Sequence, residues 1–129
     1  MIAGKSILIT GGAGFIGSNL AKRLSGSNKI VVVDDLSEGH AENLEGLKNV
    51  EFIKEDIRNE EFIQKLFKQK KFDYVFHLAA SFANQKSVEF PAQDLEINGF
   101  ATLKLLEAAQ KNGGVKRFVY TSSSCIYGA

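Results

Sequence analysis

The sequence predicts an α/β fold, a parallel sheet in the strand order 3-2-1-4-5 with helices on both faces. Five short apolar runs alternate with amphipathic stretches from one end of the chain to the other. The first two runs are apolar almost throughout, as strands covered on both faces are. A glycine-rich turn then joins the first run to the first helical stretch, where an open parallel sheet takes its ligand.

Strand 1 is Ser6-Ile7-Leu8-Ile9-Thr10. In the helical segment after it, Phe15, Ile16, Leu20 and Leu24 recur on one side and are expected to be the buried face. Strand 2 is Lys29-Ile30-Val31-Val32-Val33, closed by Asp34, and a short link with a weak helix near 41–47 leads to strand 3, Val50-Glu51-Phe52-Ile53. A helix opening near Asn59 carries Phe62, Ile63, Leu66 and Phe67 on one face. Strand 4 is Asp73-Tyr74-Val75-Phe76-His77 and strand 5 is Arg117-Phe118-Val119-Tyr120-Thr121. Between them the longest helix runs from about Pro91, a residue suited to a first turn, to the Gly113-Gly114 stop. Leu95, Leu103, Leu106 and Ala109 are expected to line its buried side. Strand–helix alternation gives right-handed βαβ units, so residues 1–129 read as one domain, an incomplete one. Ligand is expected across the carboxyl ends of strands 1 and 4.

Composition narrows the functional classes. The 129 residues include 16 basic and 15 acidic side chains, which gives no electrostatic case for nucleic acid or an anionic membrane. The single cysteine, Cys125, excludes an internal disulfide, and a reducing cytoplasm is the expected setting. No apolar run reaches the ~20 residues that span a bilayer, and no leader pattern precedes strand 1.

Thr10-Gly11-Gly12-Ala13-Gly14-Phe15-Ile16-Gly17 carries the strongest local signal. It satisfies G-x-G-x-x-G from Gly12 and G-x-x-G-x-x-G from Gly11. Glycines there allow a tight turn, close approach of backbone N–H groups to a pyrophosphate, and close packing of the helix on the sheet. The alternative, a glycine-rich turn without a ligand, is disfavoured by the strand before it and the helix after it. Asp34 follows about twenty residues on, where a carboxylate accepts ribose hydroxyls and repels a 2′-phosphate, which favours NAD over NADP. Asp35 is the competing neighbour; Asp34 is preferred because it directly follows Val33.

TGGAGFIGSNL at 10–20, Asp34 with Leu36, Asp56-Ile57, HLAA at 77–80, Asn98 and TSSSCIYG at 121–128 appear in order along the chain. In that order and spacing, the sequence resembles the extended short-chain dehydrogenase/reductase family, the group of nucleotide-sugar epimerases and dehydratases, over essentially its whole length. The resemblance implies a Rossmann-type fold and an NAD cofactor. It implies that Gly11, Gly14, Phe15, Ile16 and Gly17 form the pyrophosphate loop, that Asp34 holds the ribose and that Leu36 also belongs to the cofactor site. Asp56 and Ile57 would cover the adenine edge, Leu78, Ala79 and Ala80 would follow the cofactor toward the nicotinamide, and Asn98 would support the neighbouring loop.

The same resemblance selects Ser123 as the catalytic serine, four residues before Tyr127, bonding the sugar oxygen that becomes a carbonyl. Tyr127 is not the catalytic tyrosine. Cys125 is expected to be packed, and His77, inside an apolar strand, reads as a structural histidine rather than a base. Two departures stand out. Phe82 occupies the position of a cofactor-contacting lysine, leaving Lys86 as an alternative that the sequence does not decide, and Asn84 replaces an apolar residue. Ser124-Cys125 in place of acidic residues favours a 4-epimerase over a dehydratase. No Tyr-x-x-x-Lys pair occurs in the 129 residues, so this chain is expected to bind NAD without turning a nucleotide sugar over alone. A fold truncated after strand 5 would leave that strand's edge bare, giving self-association or a rearrangement beyond Gly114. A non-catalytic dinucleotide-binding module is the competing reading; it needs the glycine turn and Asp34 but not Ser123.

Overall fold

The computed structural model describes residues 2–81 and 84–128, the side chain of Asn84 excepted. Five parallel strands, β1 (Ser6–Thr10), β2 (Lys29–Asp34), β3 (Val50–Lys54), β4 (Tyr74–His77) and β5 (Arg117–Tyr120), form one sheet in the order β3-β2-β1-β4-β5. This is the expected order, and the sequence-based strand bounds hold to within a residue. β5 pairs with β4 in parallel register, Tyr74 opposite Arg117 and His77 opposite Tyr120. Among the described residues β5 thus keeps the expected parallel place beside β4 beyond Gly114 rather than a rearranged path.

Alternating strand side chains divide between two layers. Leu8, Val31, Val33 and Val75 pack under α2 (Glu60–Gln69) and α5 (Ala101–Asn112). Ile7, Ile9, Ile30 and Val32 pack on the opposite face with Ala21 of α1 (Phe15–Ser25) and Leu44 of a 3₁₀ turn, Ala41–Leu44. The α2 face is as expected: Ile63, Leu66 and Phe67 are buried, and Asn59 caps the helix by accepting from Phe62 N at 3.1 Å.

Two helix faces differ from expectation. On α1 the buried residues are Gly17, Ser18, Ala21 and Ser25; Leu20 and Leu24 pack partly buried against the core as expected, while Phe15 and Ile16 are exposed. The expected long helix is divided: α3 (Asn84–Glu89) precedes α4 (Pro91–Leu95), and a π-helical turn (Glu96–Phe100) leads into α5. On α5 the buried stripe is Ala101, Thr102, Leu105, Ala108 and Ala109, whereas Leu95, Leu103 and Leu106 are exposed. On these helices small side chains share the packed face with large ones such as Leu24 and Leu105, so side-chain size alone does not mark it, and the extra residue of the π turn rotates the face of α5 further.

Candidate functional site

Thr10, at the end of β1, sits between Val33 of β2 and His77 of β4, which brings three strand ends to one edge. Gly11 turns there with φ 69° and donates to the Val33 carbonyl at 2.8 Å. A Cβ on Gly11 would stand 2.6 Å from Ala79 N, and one on Gly12 would stand 2.6 Å from the Val32 side chain. A Cβ on Gly17 would collide with the Gly11 carbonyl. These glycines let the turn lie directly against the ends of β2 and β4. Gly14 caps α1 with extended backbone, and the first ladder bond runs from Ser18 N to the Gly14 carbonyl. The amides of Phe15, Ile16 and Gly17 precede that ladder and form an anion-favouring helix start.

A cleft of about 590 Å³ opens along this edge, a size that suits a small-molecule ligand. Of the residues singled out from sequence, Gly11, Gly14, Asp34, Asp56, Ile57, Leu78, Ala79 and Ala80 line it. Gly17 is buried beneath the turn, and Phe15 lies on the outer side in a separate surface hollow. Ile16 is exposed and Leu36 stands beside the cleft with φ 63°.

Asp34 is 8% exposed and is held by two backbone donors. Its Oδ2 accepts from Ala13 N and its Oδ1 from Leu36 N, both at 2.9 Å. One carboxylate thus ties the glycine turn to the end of β2, and each oxygen keeps a lone pair for a hydroxyl donor. Asp56 holds Arg58 through Oδ2 to the guanidinium at 2.6 Å, and that side-chain hydrogen bond lowers its pKa below the usual carboxylate value. Lys86 also lines the cleft, paired with Glu38 at 2.9 Å between the loop after β2 and α3. Phe82 lies outside the described residues, so the first departure is met here only through Lys86; the Asn84 side chain lies outside them as well. Seven carboxylates line the cleft, Asp34, Asp35, Glu38, Glu55, Asp56, Glu89 and Asp94, against Arg58 and Lys86. This balance disfavours an additional phosphate on the ribose.

His77 is fully enclosed, with Nδ1 2.6 Å from Thr10 Oγ1 and Nε2 2.8 Å from Thr102 Oγ1. Burial lowers its pKa to about 4, so the ring is neutral at pH 7, as a structural histidine is. Asn98 does not line the cleft. Its Oδ1 accepts from Ser81 N at 2.8 Å and its Nδ2 donates to Asp94 Oδ1 at 2.9 Å, fixing the loop that follows β4. Ser123 is exposed and also outside the cleft, where its Oγ accepts from Cys125 N at 3.1 Å as the cap of a 3₁₀ turn, Ser124–Tyr127. Cys125 is exposed rather than packed, because that turn lies beyond the layer covered by helices. Among the charged cleft residues, sequence reasoning missed Glu38, Glu55, Arg58, Glu89 and Asp94, and it also missed Gly39 and Gln93. Gly39 packs so close that a Cβ would come within 2.9 Å of the Ala13 backbone, a contact no local sequence pattern announces.

The family model described as NAD dependent epimerase/dehydratase family matches residues 7–129. The chain belongs to this epimerase/dehydratase family. It is 41% identical over 127 residues to a CDP-paratose 2-epimerase of Salmonella typhi, covering 95% of this chain and 38% of that protein. It is 42% identical over 126 residues to a UDP-glucose 4-epimerase of Mycolicibacterium smegmatis, covering 94% and 40%. An epimerase structure from Methanothermobacter thermautotrophicus superposes with TM-score 0.89 at 48% identity, covering 95% of this chain and 36% of the other. The Bordetella bronchiseptica enzyme WbmF in complex with NAD+ superposes with TM-score 0.86 at 36% identity, covering 95% and 37%. This family member thus spans about two fifths of the length of the relatives it matches. Its family is NAD-dependent, in agreement with the acidic cleft. Among the described residues no helix is long and apolar enough to cross a membrane.

Proposed function

We propose that this chain is the dinucleotide-binding part of a nucleotide-sugar epimerase that works by transient oxidation of the sugar, at C4 by preference. The observation that carries the reading is the glycine turn against the ends of β2 and β4, closed by Asp34 over the cleft. The amides between Gly11 and Gly17 bind the pyrophosphate, and Asp34 accepts the adenosine ribose hydroxyls beside Leu36. Asp56 and Ile57 flank the adenine, while the small residues Ala79 and Ala80 leave room for the nicotinamide end. Bound NAD supplies the hydride acceptor and donor. Ser123 holds the sugar oxygen that is oxidised, and Asn98 acts through the Ser81 loop rather than by touching the cofactor.

A dinucleotide-binding module without turnover is the second reading, favoured by the position of Ser123 outside the cleft. Conversion of UDP-glucose or UDP-GlcNAc by the full-length protein, abolished by Ser123→Ala, supports the first reading. Tight NAD binding with no conversion of either sugar supports the second. The reading also includes a reducing, cytoplasmic setting and self-association through the β5 edge, the outer strand of the sheet. Light scattering that finds only monomer at high concentration contradicts the self-association.

A further inference from the structure

The His77 ring joins two cleft walls through hydrogen bonds whose directions can be worked out one by one. Thr102 Oγ1 donates to the Asn98 carbonyl at 3.0 Å, which uses its single proton. It therefore faces His77 Nε2 with a lone pair, and Nε2 carries the ring proton. A neutral imidazole has one N–H, so Nδ1 is an acceptor and Thr10 donates to it across 2.6 Å. Thr10 Oγ1 then accepts from Ala79 N at 3.3 Å. The opposite tautomer would make Thr10 Oγ1 accept twice and leave its own buried proton with no recorded acceptor among the described residues.

From these directions we infer that Thr10, His77 and Thr102 are positioning residues for the dinucleotide, linked in a one-way chain from Ala79 N–H to the Asn98 carbonyl that requires the Nε2–H tautomer. The two ends of the chain hold the same cleft wall. Thr10 fixes Ala79, the residue against which Gly11 is packed without a Cβ, and Asn98 fixes Ser81 two residues further on. The chain thereby sets the distance between the phosphate turn and the wall that lies along the cofactor. Thr102 itself does not line the cleft, so any effect it has on binding is transmitted.

The inference rests on the dinucleotide reading above, and the test separates the two. The protein has two histidines, His40 and His77, so ¹⁵N-histidine labelling gives two imidazole signatures, with His40→Gln assigning the second. His77 is expected as the neutral Nε2–H tautomer at pH 7. Calorimetric titration with NAD is expected to weaken roughly fivefold to tenfold in Thr102→Val, which removes both the bond from His77 and the bond to the Asn98 carbonyl, and to return to within about twofold in Thr102→Ser. An Nδ1–H or charged ring in the parent protein overturns the inference even if Thr102→Val does not fold. So does a folded Thr102→Val with unchanged NAD affinity beside a parent that binds. A folded parent with no NAD affinity overturns the dinucleotide reading, and the positioning role with it, whatever tautomer is seen.

Discussion

The two ends of the sheet's carboxyl edge are built differently. At β1 and β2 nearly every residue is buried, the turn meets the Ala79 backbone on one side and the Val32 side chain on the other, and Asp34 is bonded through both oxygens. At β5 the burial is partial, and the segment that follows, with Ser123, is exposed. The glycine-turn end of the edge is thus a self-consistent, closely bonded unit, and the β5 end is not. Ser123, proposed above to hold the sugar oxygen, stands on the exposed segment outside the cleft.

The comparison breaks most severely at Gly11. Gly11→Ala places a Cβ against Ala79 at a residue with positive φ, so NAD binding is expected to vanish and stability to fall by about 2 kcal/mol or more, read by titration and urea unfolding. The next largest effect is acid-dependent. In the unfolded chain His77 titrates near 6.5 and in the fold near 4, so between those values the unfolded state binds the extra proton. Stability from the neutral ring is complete above pH 6.5 and is lost as pH falls toward 4, by roughly 3 kcal/mol at most. The groups recorded against the ring are the hydroxyls of Thr10 on β1 and Thr102 on α5 and the aromatic rings of Phe118 and Tyr120 on β5. In His77→Gln the pH dependence of unfolding in that window is expected to shrink accordingly.

Asp34→Ala leaves two backbone N–H groups without their acceptor and is expected to cost about 1–3 kcal/mol, with NAD affinity down at least tenfold. At the other end, Ser123→Ala is expected to leave NAD affinity within about twofold and stability within ~0.5 kcal/mol, since its side chain caps only an exposed turn. A large loss of NAD affinity there would show that the two ends are coupled.

Much of this molecule was legible in its sequence because strands and the glycine turn are local signals. β1 and β2 announce themselves as continuous apolar runs, and Gly11, Gly14 and Asp34 follow from spacing alone. The packed faces of α1 and α5 were not legible, because Ser18, Ala21, Thr102 and Ala108 are chosen for close approach rather than hydrophobicity. Nor were the second roles of the site residues. That Asp34 also clamps Ala13 N, 21 residues away, and that His77 bridges Thr10 and Thr102, 67 and 25 residues away, depends on partners that only the fold supplies.

The most direct test of the central claim is a side-by-side titration of the folded protein, stripped of any co-purified nucleotide, with NAD and NADP. Saturable NAD binding, with NADP at least about thirtyfold weaker, is the result predicted from a turn that holds a diphosphate and an acidic cleft that rejects a third phosphate. Equal affinity for the two dinucleotides, or none for either, would contradict it.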